Sequence, residues 1–384
     1  MRDLPLYFLV IAVPLSKLWP AVGLLDDLFV AILLCLILLC QGYNVFEREK
    51  LSVGFVLVFL FFLLSIKNSS GVSTLSVLLS FLFVIKLHTL IVYCSLLDGR
   101  QLRRFLRFLF VFSVAGVVFQ LVFPSLHSSL LYRELSRGSL IVVLSGFQAN
   151  PNYLALTMGV FIASARFGAL SKVVAGVTVL MTGSRTGFVL GVASALMPLV
   201  GAVTYRKLLL VAFLLILVGV SILHFLGIFE TIANDVLYFS GGINENLYIR
   251  GIMLKMSFMI SSDNFPFGVG LGRFGTPYAW ASDVYDFYGV SHLHFFVDRS
   301  PAVFDSNFAT LLGIGGASGY LIFVCSIYAM LGGGTFIRRV CYIGLFFMIS
   351  IFMPVHSNGY VALIFGLLWR VLADAEALKS STSK

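Results

Sequence analysis

Three arginines stand at turns between apolar stretches. Arg185 lies in MTGSRTGFVLG (181–191), Arg250 near the head of IRGIMLKMSFMI (249–260), and Arg273 in FPFGVGLGRFG (265–275). A guanidinium is permanently charged, planar and able to hold two oxygens of one phosphate at once. Close to lipid it is costly, so it is expected to be either paired or functional. The acidic counterpart is Asp305, which precedes the apolar run of FDSNFATLLGIGGASG (304–319). A carboxylate at such a point serves as a helix cap or as a general base. His292 and His294 are weaker candidates for the same proton. No D-x-D motif occurs in the polar connections; Asp283 and Asp286 are separated by two residues, with no matching ligand set. No metal and no cofactor is therefore expected.

The elements that position these residues are greasy. The 384-residue chain is 59% hydrophobic and 11% charged, and its apolar runs recur from end to end. That pattern predicts an all-α, polytopic integral membrane protein rather than a β-barrel, whose strands would be short and alternating. Spans are expected at about 4–22, 26–41, 52–66, 72–96, 105–124, 151–165, 170–183, 187–203, 208–228, 308–331, 340–355 and 358–373, about twelve transmembrane helices. The first is read as a retained span, since no small-residue cleavage site follows it. The five cysteines (Cys35, Cys40, Cys94, Cys325 and Cys341) lie inside apolar runs and read as small buried hydrophobes.

Orientation follows from Lys and Arg. Most of the 26 basic residues fall in alternate connections, among them Arg48 and Lys50, Arg100 to Arg107, Arg166 and Lys172, Arg206 and Lys207, and Arg338 and Arg339. The net charge of +9 is spread in this way and forms no nucleic-acid patch. Both termini are then cytoplasmic, and the two longest connections, 125–150 and 229–307, lie on the outer side. The chain divides into N-terminal helices (1–124), middle helices (125–228), one large outer loop (229–307) and C-terminal helices with a short tail (308–384).

The large loop has internal texture. Ile249, Ile252, Met253, Met256, Met259 and Ile260 keep helical spacing on one face, suiting an interfacial helix with Arg250 near its start. Gly270, Gly272 and Gly275 have the spacing of G-x-G-x-x-G, yet no strand precedes them and no βαβ unit surrounds them. Their expected role is a close turn that aims Arg273. Lys86 and His88 fall in the middle of the fourth span, where Lys86 must snorkel or find an acidic partner.

Three motifs in order carry a resemblance. GFQANPNYLA (146–155), TGSRTGFVLG (182–191), and the segment from Arg250 to Phe274 with its proline and glycines resemble the O-antigen polymerase and O-antigen ligase superfamily. DSNFATLLGIGGASGYLIF (305–323) resembles the helix with which that family returns to the membrane after its large loop. The likeness covers about residues 137–331. It implies an enzyme of the bacterial inner membrane that moves undecaprenyl-pyrophosphate-linked oligosaccharide at the periplasmic face, with the large loop periplasmic. Ligases begin the returning helix with His-Asn; here the pair is Asp305 and Ser306, which favours a polymerase over a ligase. A lipid-linked sugar transporter is disfavoured, because the unusual residues gather on one outer face rather than along a central path.

On that resemblance, Arg185, Arg250 and Arg273 meet the pyrophosphate, whose charge grows as it leaves, and Ser184 and Thr186 donate to its oxygens. Arg185 could instead bond carbonyls at helix ends, and Arg250 and Arg273 could be ordinary interfacial cations. Asp305 takes the proton of the acceptor sugar hydroxyl, or caps the helix, or does both. Arg137, Asn150 and Asn152 line the glycan groove, unless the asparagines only make the turn around Pro151. The transfer is expected to be inverting and metal-independent. Expected partners are the lipid-linked oligosaccharide, membrane lipids and a candidate chain-length regulator, and no nucleic acid.

Overall fold

The computed structural model describes residues 4–19, 27–37, 49–131, 143–183, 249–280, 282–332, 335–351, 353–355 and 358–382, with isolated positions at 189, 191, 193 and 197. The described residues are 77% helical and contain no strand. In chain order the helices are α1 (Leu4–Leu18), α2 (Asp27–Ile37), α3 (Glu49–Ile66), α4 (Thr74–Ser95), α5 (Gly99–Val122), α6 (Pro124–Leu130), α7 (Pro151–Ala163) and α8 (Ala169–Met181). The second half adds α9 (Ile249–Asp263), α10 (Val284–Phe287), α11 (His294–Val297), α12 (Asn307–Met330), α13 (Phe336–Ser350) and α14 (Gly359–Thr382). Single 3-10 turns occupy Gly146–Gln148 and Pro301–Phe304. The expected spans at 187–203 and 208–228 lie almost wholly outside the described residues.

Three helices, α4, α5 and α12, are long and apolar enough to cross a membrane, and α1, α2, α7 and α8 are shorter apolar helices. Burial explains which of them are central. In α4 every residue from Phe83 to Val92 is buried, a helix buried all round that needs neighbours on every side. It packs against α14, and α12 lies against α3. Outer helices instead show an apolar stripe. Leu170, Val173 and Val177 of α8 and Val111 and Val118 of α5 are exposed. Contiguous apolar faces of this kind suit hydrocarbon and not water.

Caps set several boundaries. Asn150 caps α7, its side chain accepting from the Asn152 amide at 2.9 Å, with Pro151 at the first helical position. Asp98 caps α5 in a reciprocal capping box with Gln101. That helix therefore starts at Gly99, ahead of the expected 105, because its arginine-rich first turns are helical although not apolar.

The segment 249–309 has a small core of its own. Ile252, Met253, Met256 and Ile260 of α9 pack with Phe274, Tyr285, Phe296 and Val303. This core is roofed onto the bundle by FPFGVGLGRFG. The Val269 and Gly270 amides donate to the carbonyls of Gly313 and Ile314 at 2.9 and 3.0 Å, and the Leu271 amide donates to Ser65 at 3.1 Å. The chain thus runs between the end of α3 and the first turns of α12. Gly316 makes room for it: α12 is broken there (φ 62, ψ −166), and a Cβ at this point would stand 2.4 Å from the Phe267 carbonyl carbon. Ser318 then reaches back, its hydroxyl donating to the Pro266 carbonyl at 2.8 Å.

Candidate functional site

The centre of the candidate site is an ion pair across the base of the large loop. Arg250, in the first turn described for α9, donates from Nη2 to Asp305 Oδ2 at 2.9 Å. The partners are 55 residues apart in sequence. α9 packs against α12, and the turn Pro301–Phe304 delivers Asp305 just ahead of α12. Both side chains remain about one-third exposed, at 29% and 34%, so the pair is reachable from outside. The cap of α12 is a different residue. Ser306 is the N-cap, its hydroxyl accepting from the Ala309 amide at 3.3 Å. The capping task weighed for Asp305 thus falls to the neighbouring serine, and the Asp305 carboxylate faces Arg250.

Arg273 forms a second pair. It donates to Asp283 Oδ1 at 2.5 Å and to the Asn68 carbonyl at 3.5 Å. The hydrogen bond from Arg273 holds the Asp283 carboxyl below the usual carboxylate range. The glycines around Arg273 all adopt positive φ (Gly270 93°, Gly272 79°, Gly275 64°), and a Cβ at Gly275 would stand 2.6 Å from the Thr310 hydroxyl. They serve a tight approach to α3, α4 and α12, as the sequence spacing without a strand implied. The two pairs are held on one platform. Thr310 of α12 donates to the Gly275 carbonyl at 3.0 Å, and Trp280 packs edge-on against Phe304, next to Asp305. Below them Tyr285 is buried, its hydroxyl accepting from the Gly275 amide at 3.0 Å, and burial pushes its phenol well up.

A third charged pair includes a partner that the sequence did not reveal. Lys86 of α4, 1% exposed, forms an ion pair with Asp27 at the start of α2, and Tyr278 donates to the same carboxylate at 2.9 Å. Lys86 also lies 5.2 Å from the centre of the Phe83 ring. Asp27 is thus an acidic partner of the kind the mid-span lysine required. The available signal was narrow: two adjacent acids, Asp26 and Asp27, at the head of an apolar run.

The remaining candidates are distributed as follows. His292 and His294 are exposed, and the rings of His294 and Phe295 are tilted at 39° with centroids 3.7 Å apart. Asn150 and Asn152 form the N-terminus of α7. Arg137, Ser184, Arg185 and Thr186 lie outside the described residues. The structure does join the flanks of two motifs: the Leu144 amide donates to the Met181 carbonyl at 3.1 Å, and Val143 lies beside Gly183. GFQANPN and the start of TGSRTG are therefore neighbours in space. Among the described residues no group of three or more His, Cys, Asp or Glu side chains is placed to hold a metal ion.

The chemistry of this arrangement is that of anion handling beside a carboxylate. Arg250 and Arg273 offer guanidinium groups, and Asp305 offers a proton acceptor within reach of one of them. Compared with models of known protein families the chain matches none, and no curated protein matches it.

Proposed function

We propose that the protein is a polysaccharide polymerase of the O-antigen type, working at the periplasmic face of the bacterial inner membrane. The large loop 229–307 is periplasmic in this reading, the chain crosses the membrane about twelve times, and both termini are cytoplasmic. The observation that carries the proposal is the Arg250–Asp305 pair, one-third exposed, at the point where the folded loop meets α12. It sets a guanidinium and a carboxylate side by side in an apolar, helical chain, the two groups this reading requires.

In the proposed reaction, a hydroxyl of the incoming lipid-linked repeat attacks the anomeric carbon of the growing chain. The new C–O bond forms as the bond to undecaprenyl pyrophosphate breaks, and the electron pair leaves with the pyrophosphate. Arg185 and Arg250 neutralise the charge developing there, with Arg273 as a further contact. Asp305 receives the hydroxyl proton. The ion pair gives these events an order. Pyrophosphate arriving at Arg250 competes with Asp305 for the guanidinium, and the displaced carboxylate is free for the acceptor hydroxyl. Donor binding would in this way switch on the base.

The test is a deletion strain examined for surface polysaccharide, complemented with wild type or with Arg250→Ala. A lost polymerase leaves a single repeat unit on the lipid core. Arg250→Ala should fail to restore polymer while reaching wild-type levels in the membrane. Long chains that persist on the carrier lipid and never reach the core would indicate a ligase instead.

A further inference from the structure

At the other end of α4 the chain builds a second charged site. α4 has 22 residues and is thus roughly 33 Å long. Its first turns touch the large loop, where Ser80 and Thr276 are hydrogen-bonded at 2.9 Å, and its last turn leads through Leu96 and Leu97 into Asp98. Here a cleft of about 930 Å³ is lined by Asp98, Gly99, Arg100, Arg103, Arg104, Arg107 and Arg166. The volume is that of a small-molecule site.

Two features separate this cleft from a scatter of solvated cations. Arg100, Arg103, Arg104 and Arg107 repeat at three- and four-residue spacing on α5, so like charges stand one above another and repel. Among the described residues Asp98 is the one acid in the lining, and its carboxylate accepts from the amides of Arg100 and Gln101, both at 2.8 Å. The fifth arginine comes from elsewhere in the chain. Arg166, in the α7–α8 turn, is fixed by a bidentate bond to Asp374 of α14, at 2.7 and 2.8 Å. Its guanidinium lies against Gly99, where an added Cβ would stand 3.3 Å away. A helix from one part of the bundle and a braced arginine from another thus form the two walls of one concave, strongly positive surface.

We infer that this cleft binds the phosphate groups of an anionic ligand, through the forked donors of its arginines. Phosphate is the group that such a fork matches, and basic pockets between helices at the cytoplasmic side hold phosphorylated headgroups. The positive-inside pattern puts these arginines at that side. Two sources present the same chemistry, a diphosphate lipid headgroup and a soluble pyrophosphate. The inference does not depend on the reaction proposed above, since none of its arginines belongs to the outer pairs.

The full chain, purified in a neutral detergent, tests it with three probes: cardiolipin, inorganic pyrophosphate, and phosphatidylcholine as the uncharged control. Arg103→Gln combined with Arg107→Gln removes two exposed guanidinium groups, and the ligand-free melting temperature verifies that the variant folds. Saturable cardiolipin binding, weakened roughly 25-fold in the variant at about fivefold per arginine, supports the site with lipid as its source. Pyrophosphate binding that is weakened in the same variant supports it with a soluble source. Binding of neither anion above the phosphatidylcholine control, or binding unchanged by the double substitution, overturns the inference.

Discussion

At the scale of the residue, the decisive detail is which of two adjacent side chains does which task. Asp305 and Ser306 are both good capping residues, and the sequence cannot rank them. The turn Pro301–Phe304 decides, because it brings Ser306 to the helix end and Asp305 toward Arg250. Substitutions should therefore split the two effects. Ser306→Ala should cost about 0.5–2 kcal/mol of stability, seen as a lower melting temperature, with polymer still made. Asp305→Asn keeps size and hydrogen bonding but cannot take a proton. It should melt near wild type and polymerise at least about tenfold more slowly. Wild-type polymer from Asp305→Asn would leave the acceptor without this base. Lys86 poses the complementary case. Its need for a partner was legible from its place in the fourth span, but the partner itself was not, since tertiary packing alone brings Asp27 to it. Asp27→Ala takes the carboxylate away from a buried ammonium and should cost roughly 3–5 kcal/mol. Lys86→Met should cost less, because Asp27 keeps its bond from Tyr278. Equal melting temperatures for Asp27→Ala and wild type would show that the lysine needs no carboxylate.

At the scale of the element, hydropathy located α4, α7, α8 and α12 to within a few residues, because their apolar runs end at caps. The N-terminal ends of α7 and α12 coincide with Asn-Pro-Asn and Asp-Ser-Asn, where side-chain acceptors and a proline favour a helix start. The start of α5 was missed because four arginines in its first turns hide a helix that Asp98 and Gln101 begin. The break in α12 was hidden for another reason. Its cause is a chain segment about 50 residues earlier, and the only local sign is the glycine content of GIGGASG. Gly316 takes a conformation open essentially to glycine alone, and the Phe267 backbone fills the space where a Cβ would go. Gly316→Ala should thus destabilise by about 1–3 kcal/mol or more and loosen the glycine loop that carries Arg273. Gly176→Ala, in α8 with nothing within 4 Å of the added methyl, should instead be neutral or stabilising by up to about 1 kcal/mol. Thermal denaturation of the two variants in detergent compares them directly, and an equally stable Gly316→Ala would mean that the break does not require glycine.

At the scale of the whole molecule, α4 separates two charged regions of different character. One end carries the folded loop with paired cations, Arg250 with Asp305 and Arg273 with Asp283. The other carries an arginine cleft in which, among the described residues, Asp98 is the one acid and caps α5. The roughly 33 Å between them matches the thickness of a hydrocarbon core, about 30 Å. The alternation of basic connections predicts a polarity of this kind, since it depends on charge counts and not on contacts. What counts could not show is that the far end is concave, because Arg166 and α5 meet only through the packing of α7 and α14. The polarity is open to a direct test. In a background with the native cysteines replaced, Asp286→Cys places a thiol on the loop and Arg104→Cys places one in the cleft, both at exposed positions. A membrane-impermeant maleimide applied to intact spheroplasts should label Asp286→Cys at once and Arg104→Cys only after lysis. Labelling of both without lysis would put the loop and the cleft on one side of the membrane. The positive-inside assignment would then fail, and with it the placement of the proposed reaction at the outer face.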